Sequence, residues 1–147
     1  MTASKKITSS LVEQQISKSY QVNLIEGDDS VATKDCVVTN TGQHLIADFY
    51  GASQLNDIEL MEDALTRAAE IAGATLLHVH IHTFVGGGIT GVALLAESHI
   101  SVHTWPELEY AAFDAFMCGD AQPEKAIALL ESIFTPSRVE LKNIARG

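Results

Sequence analysis

The sequence predicts an α+β fold: a two-layer sandwich of a mainly antiparallel sheet with two helices on one face. Three observations lead there. Several short alternating or apolar stretches follow one another across turns too short for a crossover helix, which favours antiparallel pairing. Only two stretches carry a helical period, and helices outnumbered by strands collect on one face of the sheet. The chain has 147 residues, 46% of them hydrophobic, which fits one domain with a real core.

The elements follow in order. Residues 1–40, rich in Ser, Thr, Lys and Gln with scattered apolar positions, read as a loosely ordered N-terminal extension. A short helix or strand around 9–25 is left open, and the folded domain is expected over 41–147. HLIADFYG (44–51) reads as a strand closed by Gly51. LNDIELMEDALTRAAEIAG follows as a helix, capped by Asn56 or Asp57 and stopped by Gly73. Ile58, Leu60, Met61, Leu65, Ala68, Ala69 and Ile71 form its apolar face. TLLHVHIHTF (75–84) alternates as a strand, and the three glycines of VGGGITG mark a flexible loop. GVALLAE (91–97) is a short buried strand, and HISVHTW continues extended after a break at Glu97–Ser98. YAAFDAFMCG (110–119) is a strand ended by Gly119. PEKAIALLESIF (123–134) opens on Pro as an amphipathic helix, and SRVELKNIARG (137–147) alternates as a last strand.

Charge narrows the function. The formal net charge of −10 argues against nucleic acid, whose phosphates need Lys and Arg, and favours a cationic small molecule. Charged residues are 19% of the chain, low for a fully exposed surface, which points to an oligomer. Two cysteines, Cys36 and Cys118, are too few for a disulfide framework. The N-terminus lacks a secretory core and no apolar run is long enough for a bilayer, so the expected location is cytoplasmic, with no membrane partner.

The chemistry concentrates in LLAESHISVHTWPE (94–107). Carboxylates and imidazoles beside a buried strand need partners or a task. One reading is a strand with a polar patch. Another is a serine nucleophile with His99 or His103 as base, but the glycine-flanked nucleophile elbow is absent. Cys118 alone reads as a core residue, Phe84 and Trp105 as packing aromatics, and Glu107 as a solvated charge. His78, His80 and His82 share one strand face, an arrangement that can bind zinc. Without nearby acidic or Cys ligands they read as a polar face at solvent or at a dimer seam, and no metal is assigned.

GITGVALLAESHISVHTWPE followed by AAFDAFMCGD resembles the bacterial and archaeal S-adenosylmethionine decarboxylase proenzymes. GQHLIADFYG, LNDIELMEDAL and AAEIAGATLLHV resemble the corresponding parts of that family, so the likeness covers about residues 41–145. The resemblance implies self-cleavage between Glu97 and Ser98, leaving chains 1–97 and 98–147, the second headed by a pyruvoyl group made from Ser98. It implies His103 as the base for the Ser98 α-proton and Cys118 as the acid that returns a proton to the product carbon. Phe84 and Trp105 would lie about the adenine or sulfonium, and Glu107 would take the ribose hydroxyls. Pyruvoyl would form a Schiff base with S-adenosylmethionine and act as the electron sink for loss of carbon dioxide, supplying the aminopropyl donor for spermidine. A homodimer of processed protomers, with residues of both lining each site, is also implied.

Two positions depart from the family pattern. Thr90 stands where a processing-assisting Ser is common, and Gly86–Gly88 is a more open run. A pyruvoyl decarboxylase of arginine or ornithine on the same fold, and a regulatory homologue that never cleaves, are the competing readings.

Overall fold

A computed structural model describes residues 41–147. The expected 1–40 extension, its 9–25 segment and Cys36 lie outside the described residues. The elements are β1 (Gly42–Tyr50), α1 (Ile58–Ile71), β2 (Leu76–Thr83), β3 (Ile89–Leu95), β4 (Ser98–Trp105), β5 (Tyr110–Cys118), α2 (Pro123–Phe134) and β6 (Arg138–Arg146). A short 3-10 turn, Pro106–Leu108, links β4 to β5. The six strands form one sheet in the order β2-β3-β4-β5-β1-β6, every neighbouring pair antiparallel. The two helices pack on each other and on one face, α1 over β2 and β3, α2 over β1 and β5. This is the α+β sandwich expected.

Local chemistry explains the helix limits. The Asp57 side chain accepts from the Leu60 backbone N–H at 3.0 Å, satisfying one orphan donor of α1. Met61, Ala64, Leu65, Ala68 and Ala69 form its buried stripe at helical spacing. Ile58, expected on that face, is 46% exposed, because it sits in the first turn before the helix meets the sheet. Pro123 opens α2, where its missing N–H breaks no helical bond. Eight of the α2 residues are buried, since it packs against both α1 and the sheet.

Strand alternation divides the sheet into two faces. Leu45, Ala47 and Phe49 of β1, Ile100 and Val102 of β4, and Ala111, Phe113, Ala115 and Met117 of β5 point toward the helices. Phe113 lies 5.0 Å from Phe49 and 5.8 Å from Phe134, ring centre to ring centre, so sheet and α2 share one aromatic cluster. Thr104 is the buried polar residue of this core. Its hydroxyl donates to the Leu55 carbonyl at 2.9 Å and accepts from the Ile89 N–H at 2.8 Å.

Among the described residues, no helix packs on the other face. All six histidines of the chain, His44, His78, His80, His82, His99 and His103, occupy positions that alternate with core residues and so point to it. Val92 and Leu94 of β3 stand exposed among them. No helix among the described residues is long and apolar enough to cross a membrane.

Candidate active site

The two ends of β4 carry two clusters. At its start, Leu95 pairs with Ser98, so Ala96 and Glu97 form the tip of a two-residue hairpin. Ser98 has φ +148°, outside the ordinary range of an L-residue, and holds strain at the bond expected to break. The carbonyl oxygen of Glu97, which belongs to that bond, accepts from the Cys118 backbone N–H at 3.1 Å and from Cys118 Sγ at 3.0 Å. Two donors on one carbonyl form a small oxyanion hole. Cys118 reaches it from the end of β5, where the chain turns away through Gly119 at φ +67°.

The Glu97 side chain is also held. Its carboxylate accepts from the Thr75 N–H at 2.7 Å and from Thr75 Oγ1 at 3.1 Å. The Thr75 backbone bond, more than any other contact, holds this carboxyl below its ordinary pKa. Ser98 Oγ lies 3.4 Å from His99 Nδ1. Burial, aided by His44, lowers the His99 pKa against the opposing pull of Asp114, so His99 favours its neutral form. Behind it His44 Nε2 meets Asp114 Oδ1 at 3.2 Å, and Ser101 Oγ donates to Asp114 Oδ2 at 3.3 Å.

At the far end of β4 is a cavity of about 570 Å³ lined by Phe84, His103, Trp105 and Glu107, with Val85, Gly86 and Gly88 at its rim. His103 Nδ1 lies 2.8 Å from Thr90 Oγ1, its cross-strand partner on β3. Trp105 stacks on Tyr110 at 5.2 Å, and the Tyr110 hydroxyl donates to Asp48 at 2.5 Å. Burial, reinforced by Asp48, raises the Tyr110 pKa and keeps that proton in place. The glycine run is a closed turn rather than a loose loop: Phe84 N–H donates to Gly88 O at 2.8 Å and Gly87 N–H to Phe84 O at 3.0 Å. Gly86 and Gly87, at φ +109° and +92°, take a backbone that a side chain would strain. The turn leaves Phe84 55% exposed at the cavity mouth.

The structure thus brings Glu97, Ser98 and Cys118 together, and separately Phe84, Thr90, His103, Trp105 and Glu107. Five residue steps separate Ser98 from His103, roughly 17 Å along β4. Within one chain His103 is not beside Ser98. Thr75, His44, Asp114 and Tyr110 escape sequence reasoning, since their contacts join distant stretches and no local spacing announces them. Among the described residues no three His, Cys, Asp or Glu side chains converge as a metal site, and the His78 and His80 rings merely stack at 6.3 Å.

The same residues, 43–147, match the family model described as S-adenosylmethionine decarboxylase. The S-adenosylmethionine decarboxylase proenzyme of Methanococcus maripaludis strain S2 is 45% identical over 109 residues, which cover 72% of this chain and 89% of that protein. The proenzyme of Parasynechococcus marenigrum strain WH8102 is 46% identical over 108 residues, covering 71% and 84%. The crystal structure of the adenosylmethionine decarboxylase from Aquifex aeolicus VF5 superposes with a TM-score of 0.64 at 36% identity, over 74% of this chain and 92% of that one. With fold and sequence in agreement over the described domain, this chain belongs to the S-adenosylmethionine decarboxylase family.

Proposed function

We propose that the chain cuts itself between Glu97 and Ser98 and then, as a pyruvoyl enzyme, decarboxylates S-adenosylmethionine to its propylamine and carbon dioxide. The observation that carries the reading is the Glu97 carbonyl, held by two Cys118 donors beside a strained Ser98. Attack of Ser98 Oγ on that carbonyl carbon puts negative charge on the oxygen, where the N–H and thiol stabilise it. Breaking the C–N bond frees the Ser98 amine and leaves an ester. A base then takes the Ser98 α-proton while the main-chain carboxylate of Glu97, the new C-terminus, departs from Ser98 Cβ. The resulting enamine tautomerises to an imine, adds water and loses ammonia, which leaves pyruvoyl at the head of 98–147.

The residues around Ser98 fit such a group: a thiol within reach of the same bond, and neutral imidazole nearby. When present, a pyruvoyl carbonyl supplies an electron sink for the leaving carboxylate. Cys118, already aimed at this bond, is the donor placed to return a proton to the product carbon. Phe84 and Trp105 offer π faces to a flat base or a sulfonium, and Glu107 offers a carboxylate to ribose hydroxyls.

The roughly 17 Å between the clusters means that one chain cannot close both around one substrate. A second copy, laid face to face on the side of the sheet opposite α1 and α2 with its β4 running opposite, would bring its His103 and its cavity to Ser98. That occupant also covers Val92 and Leu94. The site is then shared between two chains, and His103 acts as base across the seam, oriented by Thr90.

Intact mass under denaturing conditions tests the reading. Two fragments are expected, 1–97 and a 98–147 chain lacking a free amine, and Ser98→Ala should stay whole. A whole chain with free Ser98 would refute it. Coexpression tests the sharing: Ser98→Ala chains mixed with His103→Ala chains should restore cleavage of the His103→Ala chain alone. No rescue means that each site is built from one chain. A panel adding arginine and ornithine checks the substrate.

A further inference from the structure

We propose that Thr75 is the positioning residue of self-cleavage: it clamps both residues on the acyl side of the scissile bond and so keeps the Glu97 carbonyl on its Cys118 donors. This rests on the reading of Glu97–Ser98 as the bond that breaks. The observation is three hydrogen bonds from one residue to two. Thr75 O accepts from the Ala96 N–H at 2.9 Å, Thr75 N–H donates to Glu97 Oε2 at 2.7 Å, and Thr75 Oγ1 donates to Glu97 Oε1 at 3.1 Å. Together they engage the backbone of one tip residue and both carboxylate oxygens of the other.

Such a clamp has a specific task here. A two-residue hairpin tip is exposed and moves readily. The conformation of this tip is costly, because Ser98 sits at φ +148°. An unheld tip would relax by turning the Glu97–Ser98 peptide plane, and that rotation carries the carbonyl off the N–H and thiol of Cys118. Near-attack geometry is lost with small displacements. Thr75 can hold the tip because it is itself anchored. It lies between the end of α1 and the start of β2, and the next residue, Leu76, pairs with Leu95 across the β2–β3 ladder and packs against the core. Glu97 is held from two sides, its side chain by Thr75 and its carbonyl by Cys118. The rotation between them is what the acyl shift needs fixed. Breaking the Glu97–Ser98 bond touches none of the three Thr75 bonds, so the new chain end stays docked while the ester forms and eliminates.

The experiment follows cleavage of freshly synthesised full-length chain by quenched intact mass. Thr75→Val keeps the size and the backbone bonds but loses the hydroxyl donor, and should slow cleavage roughly 3- to 10-fold. Thr75→Ser restores the donor and should cleave at the parent rate. Glu97→Ala removes both side-chain bonds and should slow cleavage roughly 10- to 100-fold. In the Glu97→Ala background Thr75→Val should have no further effect, a non-additivity that general destabilisation would not produce. Glu97→Gln, which keeps one acceptor oxygen, should fall between Glu97→Ala and the parent and carries the test should Glu97→Ala fail to fold. The clamp is overturned, with the cleavage reading intact, if the parent cleaves and Thr75→Val keeps pace. It is equally overturned if Thr75→Ser is as slow as Thr75→Val, or if Thr75→Val slows both backgrounds by the same factor. A parent chain that stays whole overturns the cleavage reading and the clamp together.

Discussion

The two ends of β4 are built on opposite plans. At Ser98 the backbone is strained, the preceding carbonyl has two donors, and the neighbouring carboxylate is fully engaged. At Trp105 the indole stacks on Tyr110 on one side and stays part-exposed at a cavity, and a glycine turn holds Phe84 outward. The first end is organised before any ligand arrives, as bond-making requires. The second offers area and shape, as recognition requires. One strand can carry both because the alternation of side chains keeps His99, His103 and Trp105 on the open face while Ile100, Val102 and Thr104 anchor it to the core.

Removing Cys118 should do the most to break this contrast. In Cys118→Ala the Glu97 carbonyl keeps only the backbone N–H. Loss of one such donor predicts cleavage slowed by about 10²-fold, read from fragment appearance. Decarboxylation by the chains that do cleave should fall about 10²–10⁴-fold, since the positioned acid is gone. Transfer of the proton to the pyruvoyl carbon instead would appear as a mass change of the small chain to one headed by alanine. Parent rates in both assays would leave Cys118 without a chemical role.

Trp105→Ala sharpens the comparison from the other end. Loss of one stacking face should raise KM for S-adenosylmethionine roughly tenfold. The effect should fall on KM rather than on the appearance of fragments, and the reverse pattern would mean that Trp105 serves the cut.

The smallest effect concerns acid. His99 has a folded pKa below its ordinary 6.5, so its contribution to stability is present above that pH and is lost as pH falls through the lowered folded value. In the uncleavable Ser98→Ala chain, Tm should therefore drop on acidification below about 6.5, and His99→Gln should flatten that slope. Equal slopes would remove His99 from the account.

The strands and helices were legible because their signals are local. Period-two alternation marks β1, β2, β5 and β6. Asp57, Gly73 and Pro123 mark helix limits, whereas α2 ends at Thr135 in a left-handed conformation that the sequence does not announce. The roles proposed for Glu97, Ser98, His103 and Cys118 came from the family likeness of the whole stretch, and the structure adds where each lies. Thr75 was not legible: its partner is 22 residues away, and a threonine before a strand has no distinguishing spacing. The distance between Ser98 and His103 was hidden for the opposite reason. Closeness in sequence suggests closeness in space, but an extended strand separates residues faster than any other conformation. The exposure of Ile58 likewise depends on where α1 first meets the sheet, a tertiary fact that helical periodicity does not contain.

The strand order has a consequence for the molecule after the proposed cut between Glu97 and Ser98. Segment 1–97 supplies β1, β2 and β3, and segment 98–147 supplies β4, β5 and β6, yet the sheet runs β2-β3-β4-β5-β1-β6. The two products are therefore woven rather than side by side, and pulling them apart would break the ladders β3/β4, β5/β1 and β1/β6. Covalent continuity is dispensable to the folded protomer but not to the unfolded one. A denatured proenzyme is a single molecule that searches alone, whereas a denatured mature protomer is two molecules whose reunion obeys mass action. Dilution after denaturation should strand the mature form while the uncut chain recovers, so that one severed turn converts a reversible fold into one maintained by its barrier to unfolding.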